Sequence, residues 1–145
     1  MQTKFVPAET KEELAPRLRW AVTRMARRLR QEAGTDLGPS QVAALATIER
    51  HGPLSPSELA QLERIKRPTA TRILHHLDEA GLVERVKDPE DGRGAILSIT
   101  AAGRTHLRRL RARKTAYLAT RLDRLDAEDR RTLERAAELL EGMLE

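Results

Sequence analysis

The hydrophobic positions in the first part of the chain follow a helical period. They fall three or four residues apart, at Leu14, Leu18, Ala21, Val22, Met25 and Leu29. This spacing predicts an amphipathic helix that ends at Ala33, with Gly34 as its stop. Proline inside a helix removes a backbone hydrogen bond, so Pro16 leads us to expect that the regular helix begins near Ala15. Residues 10–14 would then form a separate or kinked first turn.

Three shorter helices are predicted in the middle of the chain. The second helix covers residues 37–52 and has Pro39 at its first helical position. The third is short and starts with the capping box at residues 55–58, whose sequence is Ser-Pro-Ser-Glu. The fourth opens at Pro68, after a basic connector, and stops at Gly81.

The pattern then changes to short segments rich in β-branched residues. Residues 82–87 and 95–99 are two such segments, and the turn-forming sequence DPEDGRG lies between them. Together they predict a two-stranded hairpin with a polar tip. After the hairpin, Thr100 caps a long helix and Asp126 caps a final one.

This order of elements predicts a mostly α (α+β) fold. Residues 38–99 read as a winged helix-turn-helix lobe, flanked by helices at 10–33 and 100–145. The apolar stripes of the flanking helices cannot all be buried by one lobe, so a second copy of the chain is their simplest partner. We expect residues 1–9 to form a flexible tail, followed by a single domain from residue 10 to 145.

Composition narrows the function classes. Among 145 residues there are 27 Lys and Arg against 22 Asp and Glu, a net charge of +5 that favours anionic partners. The absence of cysteine excludes a disulfide scaffold, a thiolate zinc site and a thiol redox switch. No stretch resembles a signal peptide or a membrane span, so we expect a cytoplasmic protein that does not interact with membranes. No catalytic set, metal-binding histidine spacing or phosphate-binding glycine loop is visible, and we expect no enzyme activity, metal or cofactor.

The fourth helix has two contrasting sides. At about 100° per residue, its hydrophobic residues gather on one side and its Thr, Arg and His residues on the other. Arginine can bind guanine bidentately and threonine can contact base edges or phosphate, so this exposed side suits a DNA major groove. The alternative is an ordinary solvated charged face. The candidates on this side are Pro68, Thr71, Arg72 and His75, and Arg67 lies in the basic connector just before the helix.

The hairpin carries a second group of candidates. Arg85 and Lys87 lead into it, and Arg93 lies near its tip. An arginine on an exposed hairpin can enter a narrow minor groove, and Asp91 can hold that guanidinium by a charge-assisted hydrogen bond. The alternative is a surface ion pair of little energetic consequence.

Several runs of sequence resemble the MarR family of transcription regulators (multiple antibiotic resistance regulators). The resemblance rests on LGPSQ at 37–41, the capped helix at 55–62, TATR at 69–72 with Leu77, GLV at 81–83, DPEDGR at 88–93 and ITAAG at 99–103. It implies an obligate homodimer that binds a pseudo-palindromic operator in double-stranded DNA, usually as a repressor relieved by a small ligand. It also implies that Thr69, Thr71, Arg72 and His75 face the major groove and that Asp91 and Arg93 form the wing pair. Gly38 and Gly92 depart from the family, which often has a Ser or Thr cap and a second wing arginine there.

The resemblance also implies an effector pocket between the flanking helices and the DNA-binding lobe. Arg17, Trp20 and Arg24 could stack on and neutralise an aromatic acid. The alternative is that Trp20 packs at the lobe interface while both arginines are solvated. A second function also stays open: a dimeric ligand-binding or interaction protein on a winged-helix scaffold without specific DNA binding.

Overall fold

The structure, a computed structural model, describes residues 7–87, 90 and 94–145. Within these residues it contains six helices and a two-stranded hairpin, in the predicted order. The elements are α1 (Lys11–Ala33), α2 (Pro39–His51), α3 (Pro56–Glu63), α4 (Arg67–Glu79), β1 (Val83–Lys87), β2 (Ala95–Ile99), α5 (Ala101–Leu122) and α6 (Ala127–Met143). The predicted mostly helical, winged fold is confirmed.

The first helix begins earlier than Pro16 led us to expect. It starts at Lys11, with Thr10 as a cap whose hydroxyl accepts the Glu13 N–H at 3.3 Å. Pro16 lies inside the helix, so the prediction of a start near Ala15 is wrong. Proline deprives only the Glu12 carbonyl of its usual donor, and because this stretch is exposed, water can take that donor's place.

Capping chemistry fixes the other helix boundaries close to the predicted ones. Gly34 adopts a left-handed φ of 63° after α1, as expected of a helix stop. Ser55 and Glu58 exchange the two reciprocal hydrogen bonds of a capping box at the start of α3, at 3.1 and 3.2 Å. Thr100 accepts the Gly103 N–H at 3.0 Å at the start of α5. α4 begins one residue before Pro68, a shift within the ordinary fraying of helix ends.

The wing is tied to the helical lobe by backbone hydrogen bonds. β1 and β2 are antiparallel, with Val83 opposite Ile99 and Lys87 opposite Ala95. Leu54, in the connection between α2 and α3, exchanges two hydrogen bonds with Leu97 of β2, at 3.0 and 2.8 Å. The hairpin therefore leaves the lobe in a fixed direction from its base.

One hydrophobic core holds α2, α3, α4 and the hairpin together, and α5 contributes one side chain to it. The largest fully buried side chains are Leu45, Ile48, Leu59, Leu77, Val83 and Leu107. Gly103 in the first turn of α5 allows the close approach of that helix, because a Cβ there would lie 2.2 Å from the Leu82 carbonyl oxygen. The core thus joins the long helix α5 to the base of the wing.

The outermost helices keep their apolar sides exposed within the single chain. α1 buries only Ala33, and no residue of α6 is buried. The exposed large hydrophobic residues of these two helices are Leu14, Trp20, Val22, Met25, Leu133, Leu139 and Met143. None of the helices in the described part of the chain is long and apolar enough to cross a membrane.

Candidate nucleic-acid interface

The predicted division of α4 into a buried and an exposed side is confirmed. Ala70, Ile73, Leu74 and Leu77 are each at most 6% exposed. On the opposite side the candidate residues project from the lobe, with Thr69 half-buried at the boundary. The exposed candidates are Arg67, Pro68, Thr71, Arg72 and His75.

The exposed side of α4 forms one wall of a cleft of about 650 Å³, which we call the α4–wing cleft. The start of α3 and the inner edge of the wing form its other walls. Six of the candidate residues line it, namely Arg67, Pro68, Thr71, Arg72, His75 and Arg85. Thr69 and Lys87 do not line the cleft.

Three polar residues that line this cleft were not among the candidates identified from the sequence. Ser55 and Ser57 come from the start of α3, and Asp78 comes from the last turn of α4. The capping box places both serines at the N-terminus of a helix, where backbone N–H groups favour anions, and this was a usable signal. Asp78 gave no such signal, because its position depends on how the wing folds back along α4.

Strand alternation aims two basic residues of the wing at α4. Val83 is buried against the core, and side chains two residues apart on a strand share a face, so Arg85 and Lys87 follow it on the same side. Arg85 lies opposite Leu97, which itself lines the α4–wing cleft. Asp91 and Arg93, the predicted wing pair, lie outside the described residues.

Two exposed contacts to carboxylates lie around the cleft, one an arginine–aspartate ion pair and the other a histidine–glutamate contact. Arg85 Nε lies 3.7 Å from Asp78 Oδ2 and joins the wing to α4. His75 Nε2 lies 3.1 Å from Glu79 Oε1, one turn along the same helix. Among the described residues, no carboxylate pairs with Arg67 or Arg72. The cationic charge nearest the start of α4 is therefore available to an anionic partner.

A second cleft, of about 620 Å³, lies between α1, α2 and α5. We call it the α1–α2–α5 cleft. Its walls are mainly apolar, with Leu29, Val42 and Leu110 among them, and its cationic side chains are Arg27, Arg30 and Lys114. It therefore has the composition of a pocket for an apolar molecule that carries a negative charge.

The predicted effector residues do not line this cleft. The Arg24 guanidinium carbon lies 5.6 Å from the centre of the Trp20 ring, so the structure brings these two together. Arg17 pairs with Glu9 instead. Trp20 is 59% exposed, so within the single chain it does not pack at the lobe interface, contrary to the alternative interpretation.

Comparisons with known proteins place this geometry in a family. The MarR family profile matches residues 37–94, from the start of α2 to the wing. An uncharacterised HTH-type transcriptional regulator of Mycobacterium bovis, Mb0904, is 33% identical over 133 residues, which cover 91% of this chain and 93% of its own length.

Solved structures agree with this assignment. A protein from Pseudomonas aeruginosa PA01, assigned as a transcriptional regulator, has a TM-score of 0.84 at 34% identity, covering 96% of this chain and 99% of its own. A mutant of MepR from Staphylococcus aureus, bound to an oligodeoxyribonucleotide, shares the fold with a TM-score of 0.70 at 18% identity. The match covers 95% of this chain and 100% of the MepR chain. The chain belongs to the MarR family, whose members are transcriptional regulators with a DNA-binding fold and not enzymes.

Proposed function

We propose that this protein is a homodimeric regulator that binds a specific sequence of double-stranded DNA. The observation that carries the proposal is the side of α4 that projects from the lobe, with Thr71, Arg72 and His75 exposed and no acidic partner for Arg72 among the described residues. A related fold, the MepR mutant, has been solved with an oligodeoxyribonucleotide, which supports the same use of the scaffold here.

In this proposal α4 enters the major groove by its N-terminal half. A helix fits that groove, and the first turn of α4 carries Arg67, Pro68 and Thr69 where the helix dipole attracts phosphate. Thr71, Arg72 and His75 project toward the base edges. Arg72 is the residue we assign to base reading, since arginine binds the O6 and N7 atoms of guanine bidentately.

The wing is proposed to contact the neighbouring minor groove and the sugar-phosphate backbone. Arg85 and Lys87 lie on the strand that faces α4, where they can neutralise phosphates. Arg93 is proposed to enter the minor groove, with Asp91 holding its guanidinium. These contacts would supply affinity and register more than sequence discrimination.

Dimerisation is proposed to use the flanking helices at 10–33 and 100–145, leaving residues 38–99 for DNA. Val22 and Met25 on α1, and Leu133 and Leu139 on α6, are about half exposed in the single chain. Complete burial of a leucine is worth about 1.5–3 kcal/mol, so covering a half-exposed one gains about half of that, and several such side chains in each subunit favour association. A two-fold dimer then reads two half-sites whose centres lie about 10 bp apart, or a multiple of that.

We further propose that the protein is a repressor relieved by a small ligand and that it acts in the cytoplasm. MdtR of Bacillus subtilis, named a transcriptional repressor, is 30% identical over 91 residues, which are 63% of this chain and 59% of MdtR. The α1–α2–α5 cleft joins the flanking helices to the lobe, so a ligand there could alter the spacing of the two lobes. An aromatic acid remains the proposed effector, with Arg17, Trp20 and Arg24 as a second candidate site for it.

The proposal is tested by the DNA that the protein captures from its own genome. Captured fragments are sequenced, and the affinity for an enriched duplex is compared with that for a scrambled duplex of equal composition at the same salt concentration. Specific regulators typically prefer their own site by about 10³-fold or more. Equal affinities would instead support the alternative, an interaction protein on a winged-helix scaffold.

A further inference from the structure

An acidic residue lines the α4–wing cleft, which would face DNA in the proposed function. Asp78 lines the α4–wing cleft, and its side chain is 36% exposed. A carboxylate there repels the phosphates of an approaching duplex, so by charge alone it weakens binding.

Among the described residues, Arg85 is the basic side chain within ion-pair distance of Asp78. Gly81 takes a φ of 74° in the turn after α4, and β1 then runs back along that helix. Strand alternation places Arg85 on the α4 side, and its Nε lies 3.7 Å from Asp78 Oδ2. Because a guanidinium carries five N–H donors in a planar fork, a contact at Nε leaves donors on the terminal nitrogens for a second acceptor.

The position of this pair matches the path of a DNA strand. With α4 in the major groove and the wing in the minor groove, the sugar-phosphate backbone between the two grooves passes over the cleft between them. Arg85 is the basic wing residue that lines this cleft among the described residues, since Lys87 on the same strand does not. The pair thus lies where a phosphate would pass.

We propose that Asp78 is a positioning residue that holds Arg85 across the α4–wing cleft, so that its terminal nitrogens bind a backbone phosphate. The proposal rests on the proposed DNA binding and adds a residue that acts through another. Exposed ion pairs contribute about 0.2–1 kcal/mol, so the expected effect on affinity is at most about fivefold.

The test is a double-variant cycle with Asp78→Asn, Arg85→Ala and both together. Affinity is measured for a duplex that the wild-type protein selects from a random library, over a series of salt concentrations. We expect Asp78→Asn to weaken binding about two- to fivefold, although it removes a negative charge. In the Arg85→Ala background the same change should tighten binding, because only the repulsion of phosphate is left to remove.

Two further variants separate positioning from charge and from stability. Glu84→Gln removes a negative charge from the residue next to Arg85 on β1, on the face that points away from α4. It should tighten DNA binding both in the wild type and in the Arg85→Ala variant. Asp78→Glu keeps the charge and should retain more affinity than Asp78→Asn. Arg85→Ala should lower the slope of log affinity against log salt by about two for the dimer, one phosphate contact for each subunit.

Three results would contradict the inference about Asp78, and the third of them would also contradict the proposed DNA binding. If Asp78→Asn tightens binding in the wild-type background as Glu84→Gln does, Asp78 is only a repulsive charge and the inference is wrong. If it weakens binding equally with and without Arg85, Asp78 does not act through Arg85 and the inference is also wrong. A wild-type protein without any DNA binding overturns the proposed function and this inference together.

Discussion

His106 Nε2 lies 2.9 Å from Thr35 Oγ1, and this contact joins α5 to the connector between α1 and α2. The same hydroxyl accepts the Leu37 N–H at 3.1 Å, and Arg113 donates to the Ala33 carbonyl at 2.9 Å. The N-terminal part of the connector, next to α1, is therefore fastened to α5 by His106 and Arg113. Because Thr35 and Leu37 also line the α1–α2–α5 cleft, a molecule bound in the cleft would directly contact the residues that hold the connector to α5.

The first prediction removes that hydroxyl. Thr35→Val should lower the free energy of unfolding by about 1–2 kcal/mol, since His106 loses its partner and the part-buried Leu37 N–H loses its acceptor. Urea unfolding followed by circular dichroism at one fixed protein concentration measures the change. Thr115→Val, an exposed position on α5, is the control and should stay within about 0.5 kcal/mol of the wild type. Equal effects of the two variants would show that the contact does not stabilise the connector.

The second prediction concerns the packing of α5 on the wing. Gly103→Ala would place a methyl group 2.2 Å from the Leu82 carbonyl oxygen and 2.7 Å from a side-chain carbon of Ile99. Because a backbone atom cannot rotate away, we expect a loss of about 1–3 kcal/mol in unfolding free energy. Gly142→Ala on α6 meets nothing within 4 Å and should stabilise by about 0.4–1 kcal/mol. Thermal unfolding of both variants checks the opposite signs, and a neutral Gly103→Ala would contradict the packing.

The helices and the wing were predictable because their signals are local. The capping box at 55–58 and the caps Thr100 and Asp126 are read from a few adjacent residues, and the structure follows them. Pro16 misled the prediction. The expectation that proline interrupts a helix counts the backbone N–H that proline lacks, but not the water that can take the place of that donor at an exposed site. The two sides of α4 were predictable from its period alone.

The arrangement of the cleft was not predictable from local signals. Asp78 and Arg85 meet only after the turn at Gly81 folds β1 back along α4, and no spacing rule gives that contact. Likewise the link between Thr35 and His106 joins residues 71 positions apart. Trp20 was open to two interpretations, because burial of a helix face depends on what packs against it.

The third prediction tests association through the flanking helices. Leu133→Glu on α6 should shift the protein from dimer to monomer, because it places a charge on the proposed apolar interface. Arg131→Glu introduces the same residue on the opposite side of α6, about 200° around the helix from Leu133, and should leave the dimer intact. Analytical ultracentrifugation over a range of concentrations gives the result. A folded wild-type monomer at every concentration would contradict the proposed dimer.

The fourth prediction concerns the wing tip. Arg93→Ala should weaken DNA binding without changing which major-groove bases are preferred, because an arginine in the minor groove responds to the width of the groove more than to the identity of the bases. The slope of log affinity against log salt should fall by about two for a dimer that loses two cationic contacts. Asp91→Ala should give a milder form of the same defect. Salt titrations of both variants decide the matter, and an unchanged slope and affinity in Arg93→Ala would show that the wing tip does not touch DNA.

The last prediction concerns Arg72, which is exposed on α4 and has no carboxylate partner among the described residues. If Arg72 reads a base, Arg72→Ala should cost about 1–3 kcal/mol of binding free energy on the specific site. The loss on random DNA should be much smaller. An equal loss on both kinds of DNA would make Arg72 a phosphate contact.

The central claim is tested most directly by selecting duplexes from a random-sequence library with the wild-type protein and with Arg72→Ala. We expect the wild type to enrich a two-fold symmetric motif whose half-sites lie about 10 bp apart, or a multiple of that. Arg72→Ala should lose its preference at one symmetric pair of positions and keep the rest. Failure of the wild type to enrich any motif, with binding that depends on salt but not on sequence, would contradict the claim that α4 reads DNA.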